Sequence, residues 1–382
     1  MLRSSTHRIG SGRASCAKHR RMWHTEGMRI PAEGAAEEKL RPHERPTSFD
    51  IAYRAGVSQS TVSRALRGDP NVNEETRRKI EAIARELKYK VDKNASNLRR
   101  QRTNTIAVLF FEDPSPDASL INPFFQSMLG SITRACAKRS YDLLISFQMF
   151  AQDWNADYED SGKADGLILL GYGDYLTYRQ HLELLVEQGT RFVRWGAVEE
   201  GQPGVSIGSN NFQGGRIAAE HLIGLGRRKI AFLGHASNHY PEFSARYRGY
   251  YAAMEDAGLS AALQADAISS EESGAMAISE LLARGETFDG LVAASDLIAA
   301  GALIALRDAG IEVPKDVSVV GYDDISVASL VNPPLTTVAQ DTWLAGEKLV
   351  ETLMKLVQGE PAESFELPAK LMVRRSCGAK KA

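Results

Sequence analysis

From Thr105 onward, short runs of apolar residues alternate with longer segments in which apolar residues recur at helical spacing. The short runs are apolar at nearly every position, which is typical of parallel strands buried on both faces. The segment from Asn122 to Ala137 is one of the intervening helices. This alternation predicts an α/β fold in which helices cover both faces of parallel sheets. Seven runs carry the strand pattern: IAVLFF, DLLISF, DGLILLG, RFVRWG, KIAFLG, DGLVAAS and DVSVVGYDD.

In such folds, ligands bind beyond the carboxyl ends of the parallel strands. A small-molecule site is therefore expected among the loops that follow the predicted strands. Six strand ends mark these loops: Phe110, Leu170, Arg194, Leu233, Ala294 and Val320.

The pattern nearer the amino end predicts a helix-turn-helix, which is two short helices joined by a tight turn. A helix-forming run from Asp50 to Arg54 meets the sequence Ala-Gly-Val, in which Gly56 tolerates the positive φ that a sharp turn needs. Ser58 can then cap a second helix that runs through Arg67. A third helix is predicted after Asn73, whose side chain is a good helix cap.

The second predicted helix has two different faces. Its apolar face carries Val57, Val62 and Leu66. Its polar face carries Gln59, Ser60, Ser63 and Arg64. Side chains of this kind read base edges and phosphates in a DNA major groove, whereas an ordinary helical hairpin would simply expose them to solvent.

Charge is distributed unevenly along the chain. Residues 41–102 contain fifteen Lys and Arg against eight Asp and Glu, although the whole chain has a formal net charge of -2. A basic amino-terminal region on an acidic body indicates a nucleic-acid-binding module joined to a domain with another role. The basic stretch from Lys88 to Asn104 is either a solvated linker or a segment that becomes helical on DNA, with Leu98 as an apolar wedge.

Other features narrow the class of protein. Cys16, Cys136 and Cys377 lie far apart, so neither a zinc finger nor a disulfide scaffold is predicted. No apolar run is long enough to cross a bilayer, and we expect a cytoplasmic protein without membrane partners. Residues 1–45 have no apolar period and are interpreted as a disordered tail or a misassigned start. Dinucleotide, P-loop and nucleophile-elbow motifs are missing, so neither an enzyme nor a cofactor is expected.

Nine motifs between residues 48 and 375 follow one another in a fixed order. They are AGVSQSTVSRAL, VNEETRRKIEAIARELKY, ASNL, NPFF, ADGLILLG, GRRKIAFLG, SARYRGY, DAGIEVPKDVSVVGYDD and NPPLTTV. The series resembles the lactose/galactose-repressor (LacI/GalR) family of bacterial transcription regulators. The resemblance implies a helix-turn-helix domain and a hinge, followed by a two-lobed effector domain like the type I periplasmic binding proteins.

The domain boundaries implied by the resemblance divide the chain into five parts. They are a tail at 1–45, a DNA-binding domain at 46–90, a hinge at 91–104, an effector-binding domain at 105–376 and a tail at 377–382. Within the effector-binding domain, the near lobe is expected at about 105–209 and 340–360. The far lobe is expected at about 210–339 and 361–376.

The resemblance also implies how the protein meets DNA. A homodimer would bind a palindromic operator, and the final tail is too short for a tetramerisation helix. The residues that choose base pairs would be Gln59, Ser60 and Arg64, and those that hold phosphates would be Ser58, Thr61 and Ser63. In the hinge, Asn94 and Ala95 would contact DNA, and Leu98 would insert at the operator centre. Val91 stands where the family often has a proline.

The resemblance further implies an effector site between the lobes. Arg246 matches the family's effector-clamping arginine, and Asp296 and Asp323 match positions whose side chains meet effector hydroxyls. Trp195 could stack on a sugar ring or be a half-buried packing residue. Phe124 could contact the ligand or belong to the core.

Together these features predict a sequence-specific DNA-binding transcription regulator. We expect a repressor of carbohydrate uptake or catabolism genes whose operator affinity is controlled by a small sugar. An activator of the same family is one alternative, and a sugar-binding protein without a DNA function is an alternative from a different class. The basic amino-terminal region and the lack of an export signal argue against the latter.

Overall fold

The computed structural model describes residues 46–89, 102–111, 121–148, 156–171 and 173–379. The chain divides into two compact units, Met1–Val91 and Asp92–Ala382. The predicted tail at 1–45 and the hinge residues Asn94, Ala95 and Leu98 lie outside the described residues. Within the described ranges, every helix is too short or too polar to cross a membrane.

The first unit contains three helices, α1 (Ser48–Ala55), α2 (Gln59–Leu66) and α3 (Glu74–Glu86). Ile51, Val62 and Ile80, one from each helix, are fully buried and form the centre of its small core. Gly56 ends α1 with a φ of 70°, which a glycine adopts without strain. The side chains of Ser58 and Asn73 cap α2 and α3 as predicted. The predicted three-helix arrangement is therefore confirmed.

The described strands of the second unit form two six-stranded sheets. The strands are β1 (Thr105–Phe111), β2 (Asp142–Gln148), β3 (Gly166–Leu170), β4 (Phe192–Trp195), β5 (Val205–Ser209), β6 (Ile230–Leu233), β7 (Gln264–Ala265), β8 (Gly290–Ala293), β9 (Ser318–Asp323), β10 (Thr336–Ala339), β11 (Phe365–Leu367) and β12 (Lys370–Met372). The near-lobe sheet has the order β11-β5-β4-β3-β1-β2, and the far-lobe sheet has the order β12-β10-β9-β8-β6-β7. All neighbouring strands are parallel except β10 and β12, so the predicted parallel α/β fold is confirmed.

Helices connect the strands and cover the sheets on both sides. They are α4 (Pro123–Lys138), α5 (Tyr175–Glu187), α6 (Asn211–Gly224), α7 (Pro241–Asp256), α8 (Glu271–Ala283), α9 (Asp296–Asp308), α10 (Ser326–Leu330) and α11 (Thr342–Gln358). A short π-helical segment, Ala156–Asp160, precedes β3. The near lobe has one apolar cluster on each face of its sheet, and far-lobe residues Leu297 and Ile325 join the cluster beside α4 and α11. The two lobes therefore pack directly against one another.

One predicted lobe boundary is wrong. The sequence predicts that the segment 361–376 belongs to the far lobe, but β11 pairs with β5 in the near-lobe sheet. The crossing to the far lobe therefore lies between Leu367 and Lys370. The physical reason is that β11 pairs with β5 through its backbone, and a strand of only three residues leaves few unpaired groups at the edge of the sheet.

Asp296 joins three elements of the far lobe from a fully buried position at the start of α9. One carboxylate oxygen accepts from the Thr337 hydroxyl at 2.6 Å, and the other accepts from the Ile325 amide at 2.9 Å. Burial raises the pKa of Asp296 well above its usual value, and the neighbouring Asp323 is the second cause. The hydrogen bonds from Thr337 and Ile325 lower this pKa, but by less. The folded protein therefore holds this proton over a pH range in which the unfolded chain has released it.

We predict that Asp296→Asn changes the pH dependence of stability. An asparagine can accept from the Ile325 amide and donate to Thr337, but it does not titrate. The contribution of the Asp296 proton is present below about pH 4 and is lost as the pH rises towards the folded-state pKa. As the pH rises above about 4, the free energy of unfolding of the wild type should fall relative to that of the variant, with a slope of at most about 1.4 kcal/mol per pH unit.

Urea unfolding at pH 5, 6 and 7 measures this difference. Asp308→Asn is the control, because that carboxylate is exposed at the end of α9. A difference between wild type and Asp296→Asn that stays constant with pH would contradict the proposed protonation of Asp296.

Candidate functional site

The amino end of α2 presents a cluster of hydroxyl groups. The Ser58 Oγ accepts from the Thr61 amide at 3.2 Å and lies 2.8 Å from the Ser60 Oγ and 2.9 Å from the Thr61 Oγ1. The positive end of the helix dipole and this cluster face the same way, which suits a phosphate group.

The predicted base-reading side chains share one surface. Ser60 and Arg64 are exposed, whereas Val62 and Ala65 on the opposite face of α2 are buried. Gln59 is half-buried, and its Nε2 donates to the Ser48 Oγ at 3.1 Å. The polar face of α2 therefore points outward, as groove binding requires, and none of its predicted contacts is packed into the core of its own domain.

In the second unit, the centre of the candidate site is the buried guanidinium of Arg246, which is 1% exposed. Its Nε donates to the Asn211 Oδ1 at 2.9 Å, and its Nη1 donates to the carbonyl of Ala294. Its Nη1 also lies 3.7 Å from the Asp323 Oδ1. The guanidinium carbon stands 3.8 Å from the ring centroid of Tyr322, in cation–π geometry.

Asp323 ends β9, where the chain approaches the junction between the lobes. Burial raises the pKa of Asp323 to about 7, although Arg246 and a hydrogen bond from Gln340 act in the opposite direction. The Gln340 Nε2 donates to the Asp323 Oδ1 at 2.6 Å. The φ angle of Asp323 is 110°, in a region that residues other than glycine rarely adopt. Backbone strain of this kind is concentrated at functional sites.

The structure brings two of the predicted effector residues together and engages the third elsewhere. Arg246 and Asp323 face one another, as described above. Asp296 is buried nearby, but both of its oxygens are already hydrogen-bonded within the far lobe, to Ile325 and Thr337.

The two predicted aromatic contacts pack against each other. Trp195 is 3% exposed and Phe124 is fully buried, and their ring centroids lie 5.7 Å apart. Both belong to the near-lobe core cluster that also contains Phe125. Phe124 therefore lies in the core, which was one of its two expected settings, and Trp195 is a packing residue that is buried rather than half-buried.

A cavity of about 420 Å³ opens beside Asp323 and Gln340. Its wall also includes Asp341, Thr342 and Lys370, which belong to the segments that cross between the lobes. The Gln340 Oε1 is buried and has no hydrogen-bond partner among the described residues. The cavity therefore adjoins a buried acceptor and a carboxylate.

Gln340 is a residue of this site that sequence reasoning missed. It follows β10, which does not fit the continuous apolar pattern, so the loop after it is not among those that follow the six predicted strand ends. The available signal was an amide side chain directly after the TTVA run.

Polar contacts join the two lobes around the site. The Ala197 amide of the near lobe donates to the buried Glu242 Oε1 of the far lobe at 2.9 Å. The Asp174 carboxylate lies 2.8 Å from the Nδ1 of His239. Asn122, which caps α4, donates to the Ser269 Oγ at 3.2 Å. A ligand that changed the distance between the lobes would have to change these contacts.

Two protein-family models match parts of this chain. Residues 49–92 match the bacterial regulatory proteins of the lacI family, and residues 219–377 match a periplasmic binding protein-like domain. The HTH-type transcriptional regulator CelR of Thermobifida fusca is 32% identical over 343 residues, which cover 87% of this chain and 98% of that relative. The ribose operon repressor of Escherichia coli K12 is 31% identical over 313 residues, which cover 81% of this chain and 92% of that relative.

Solved structures of other proteins share the architecture. The lac repressor dimer bound to operator and the anti-inducer ONPF has a TM-score of 0.77 and 26% identity, covering 88% of this chain and all of the other. A complex of the regulator CelR with cellobiose has a TM-score of 0.64 and 31% identity, covering 87% of this chain and all of the other. With both the helix-turn-helix and the two-lobed unit matched in order, the chain belongs to the LacI family of bacterial regulatory proteins.

Proposed function

We propose that this protein is a sugar-responsive transcriptional repressor. The observation that carries the proposal is the cluster of Arg246, Asp323 and Gln340 beside a cavity at the junction of two packed lobes. The outward polar face of α2 reads the operator, and occupation of the cavity alters the lobe contacts and with them operator affinity.

The chemistry of the cluster favours a neutral, hydroxyl-rich effector. Each sugar hydroxyl both donates and accepts a hydrogen bond. Asp323 and the Gln340 Oε1 offer acceptors, while Lys370 and the Thr342 hydroxyl offer donors at the same cavity. Two relatives support this class, because one is named for the ribose operon and the other was solved with cellobiose.

Apolar side chains on the surface of the second unit support a homodimer. Ile145 and Phe147 lie on the edge strand β2 and are 47% and 49% exposed. In the far lobe, Met276 on α8 and Ile304 on α9 are exposed on adjacent helices, and Leu330 is 80% exposed. Contact with a second copy would remove these apolar side chains from water, which is favourable. A dimer with two copies of α2 would suit a palindromic operator.

We predict that at pH 8, above the pKa of about 7 of Asp323, Asp323→Asn weakens effector binding about ten-fold or more, because hydrogen bonds to a charged group contribute about 1.5–3 kcal/mol. The substitution preserves the shape of the side chain and removes its charge. Isothermal titration of the full chain against cellobiose, ribose and a purine nucleoside measures it, with the exposed Asp308→Asn as control. Tight binding of the nucleoside alone, or unchanged sugar affinity in Asp323→Asn, would contradict the assigned site.

We also predict that Leu330→Glu combined with Met276→Glu disrupts the dimer, because each change would bury a carboxylate in an apolar interface. Light scattering should give the wild type about twice the chain mass of 41.8 kDa and the variant a value close to the single chain. Leu184→Glu, at a 50% exposed position on α5, is the control. An undiminished mass in the double variant would place the interface elsewhere.

A further inference from the structure

The side chain of Gln59 on α2 forms a hydrogen bond with a residue of α1. Ser48 is the first residue of α1, and Gln59 is the first residue of α2. The Gln59 Nε2 donates to the Ser48 Oγ at 3.1 Å, and both residues are half-buried. The neighbouring hydroxyls of Ser60 and Thr61 are directed to Ser58 instead. Ser48 therefore holds the Gln59 amide independently of the hydroxyl cluster.

The bond to Ser48 leaves Gln59 with a defined set of hydrogen-bonding groups. A glutamine amide has two N–H donors and one oxygen acceptor. With one N–H given to Ser48, one N–H and the Oε1 remain for another partner. In the major groove, this pair matches adenine, which presents an acceptor at N7 and a donor at N6. The opposite amide orientation would present two N–H donors, which match the two acceptors of guanine.

We infer that Ser48 is a positioning residue that sets Gln59 to read adenine. The inference rests on the proposed role of Gln59 in base reading. An amide already held in one orientation also loses less side-chain entropy when it meets the base. Ser48 thus determines specificity at one base pair without itself being the residue that reads it.

A purely structural role for Ser48 makes a different prediction. Buried apolar residues Ile51, Ala52 and Val62 also join α1 to α2, so loss of one half-buried hydrogen bond should leave the domain folded. If Ser48 only stabilised the domain, its removal would weaken binding to all operators equally. A positioning role instead affects discrimination at the base pair that Gln59 contacts.

The test uses the full-length protein and a library of randomised palindromic duplexes. Selection with wild type and with Gln59→Ala identifies the base pair at which preference depends on Gln59. Mobility shifts then compare adenine with guanine at that pair for wild type, Ser48→Ala, Ser48→Thr and Ser48→Lys. Thermal melting followed by circular dichroism checks that each variant is folded, and salt titration counts the phosphate contacts.

The expected results follow from the donors and acceptors of each side chain. Wild type should prefer adenine about ten-fold, and Ser48→Ala should retain about two-fold preference with an unchanged salt slope. Ser48→Thr, which keeps the hydroxyl, should restore the wild-type preference. Ser48→Lys, which can only donate, should draw the Gln59 oxygen inward and shift the preference towards guanine.

The outcomes separate the inference from the function on which it rests. Wild type that selects no sequence would contradict operator reading by α2. Sequence-specific wild type with full adenine preference in Ser48→Ala would overturn the positioning role alone. A uniform loss of affinity at every base pair in Ser48→Ala, or a wild-type preference for guanine at the Gln59 position, would also overturn it.

Discussion

A charge with 1% exposure must be compensated inside the protein, and Arg246 is such a charge. Its compensation comes from an amide on α6, a carbonyl after β8, and a ring and a carboxylate on β9. Removal of one partner from a buried ionic cluster is strongly destabilising, because the remaining charge stays buried without it. The far-lobe elements that reach the lobe junction are therefore tied to one guanidinium.

The same cluster connects ligand binding to the arrangement of the lobes. Gln340, which donates to Asp323, stands between β10 of the far lobe and α11, which packs on the near lobe. Glu242 lies one helical turn before Arg246 on α7, and it accepts from the near-lobe Ala197 amide. A molecule that forms hydrogen bonds with Asp323 thus acts on residues that contact both lobes. Such a shared point is what a coupling free energy between two sites requires.

Local signals predicted the helix-turn-helix and the long apolar strands, because a Gly at positive φ, a Ser or Asn cap and a buried run each depend on a few neighbouring residues. Five short strands were not predicted: β5, β7, β10, β11 and β12. Some of them contain polar residues and others have only two or three residues, and all of them pair with segments that are distant in the chain. The same limit affected the site. Asp296 and Asp323 both follow apolar runs, and only the packed fold shows that Thr337 and Ile325 occupy the first carboxylate. Likewise, nothing local to Gln59 indicates its bond to Ser48, eleven residues earlier in the chain.

The most direct test of coupling between the cavity and α2 measures how each ligand affects the binding of the other. The affinity of the full chain for operator is determined with and without a saturating sugar that binds the cavity. Its affinity for that sugar is determined with and without operator. Our account predicts that each ligand changes the affinity of the other by the same factor, about five-fold or more. A sugar that binds tightly while operator affinity stays unchanged would contradict it.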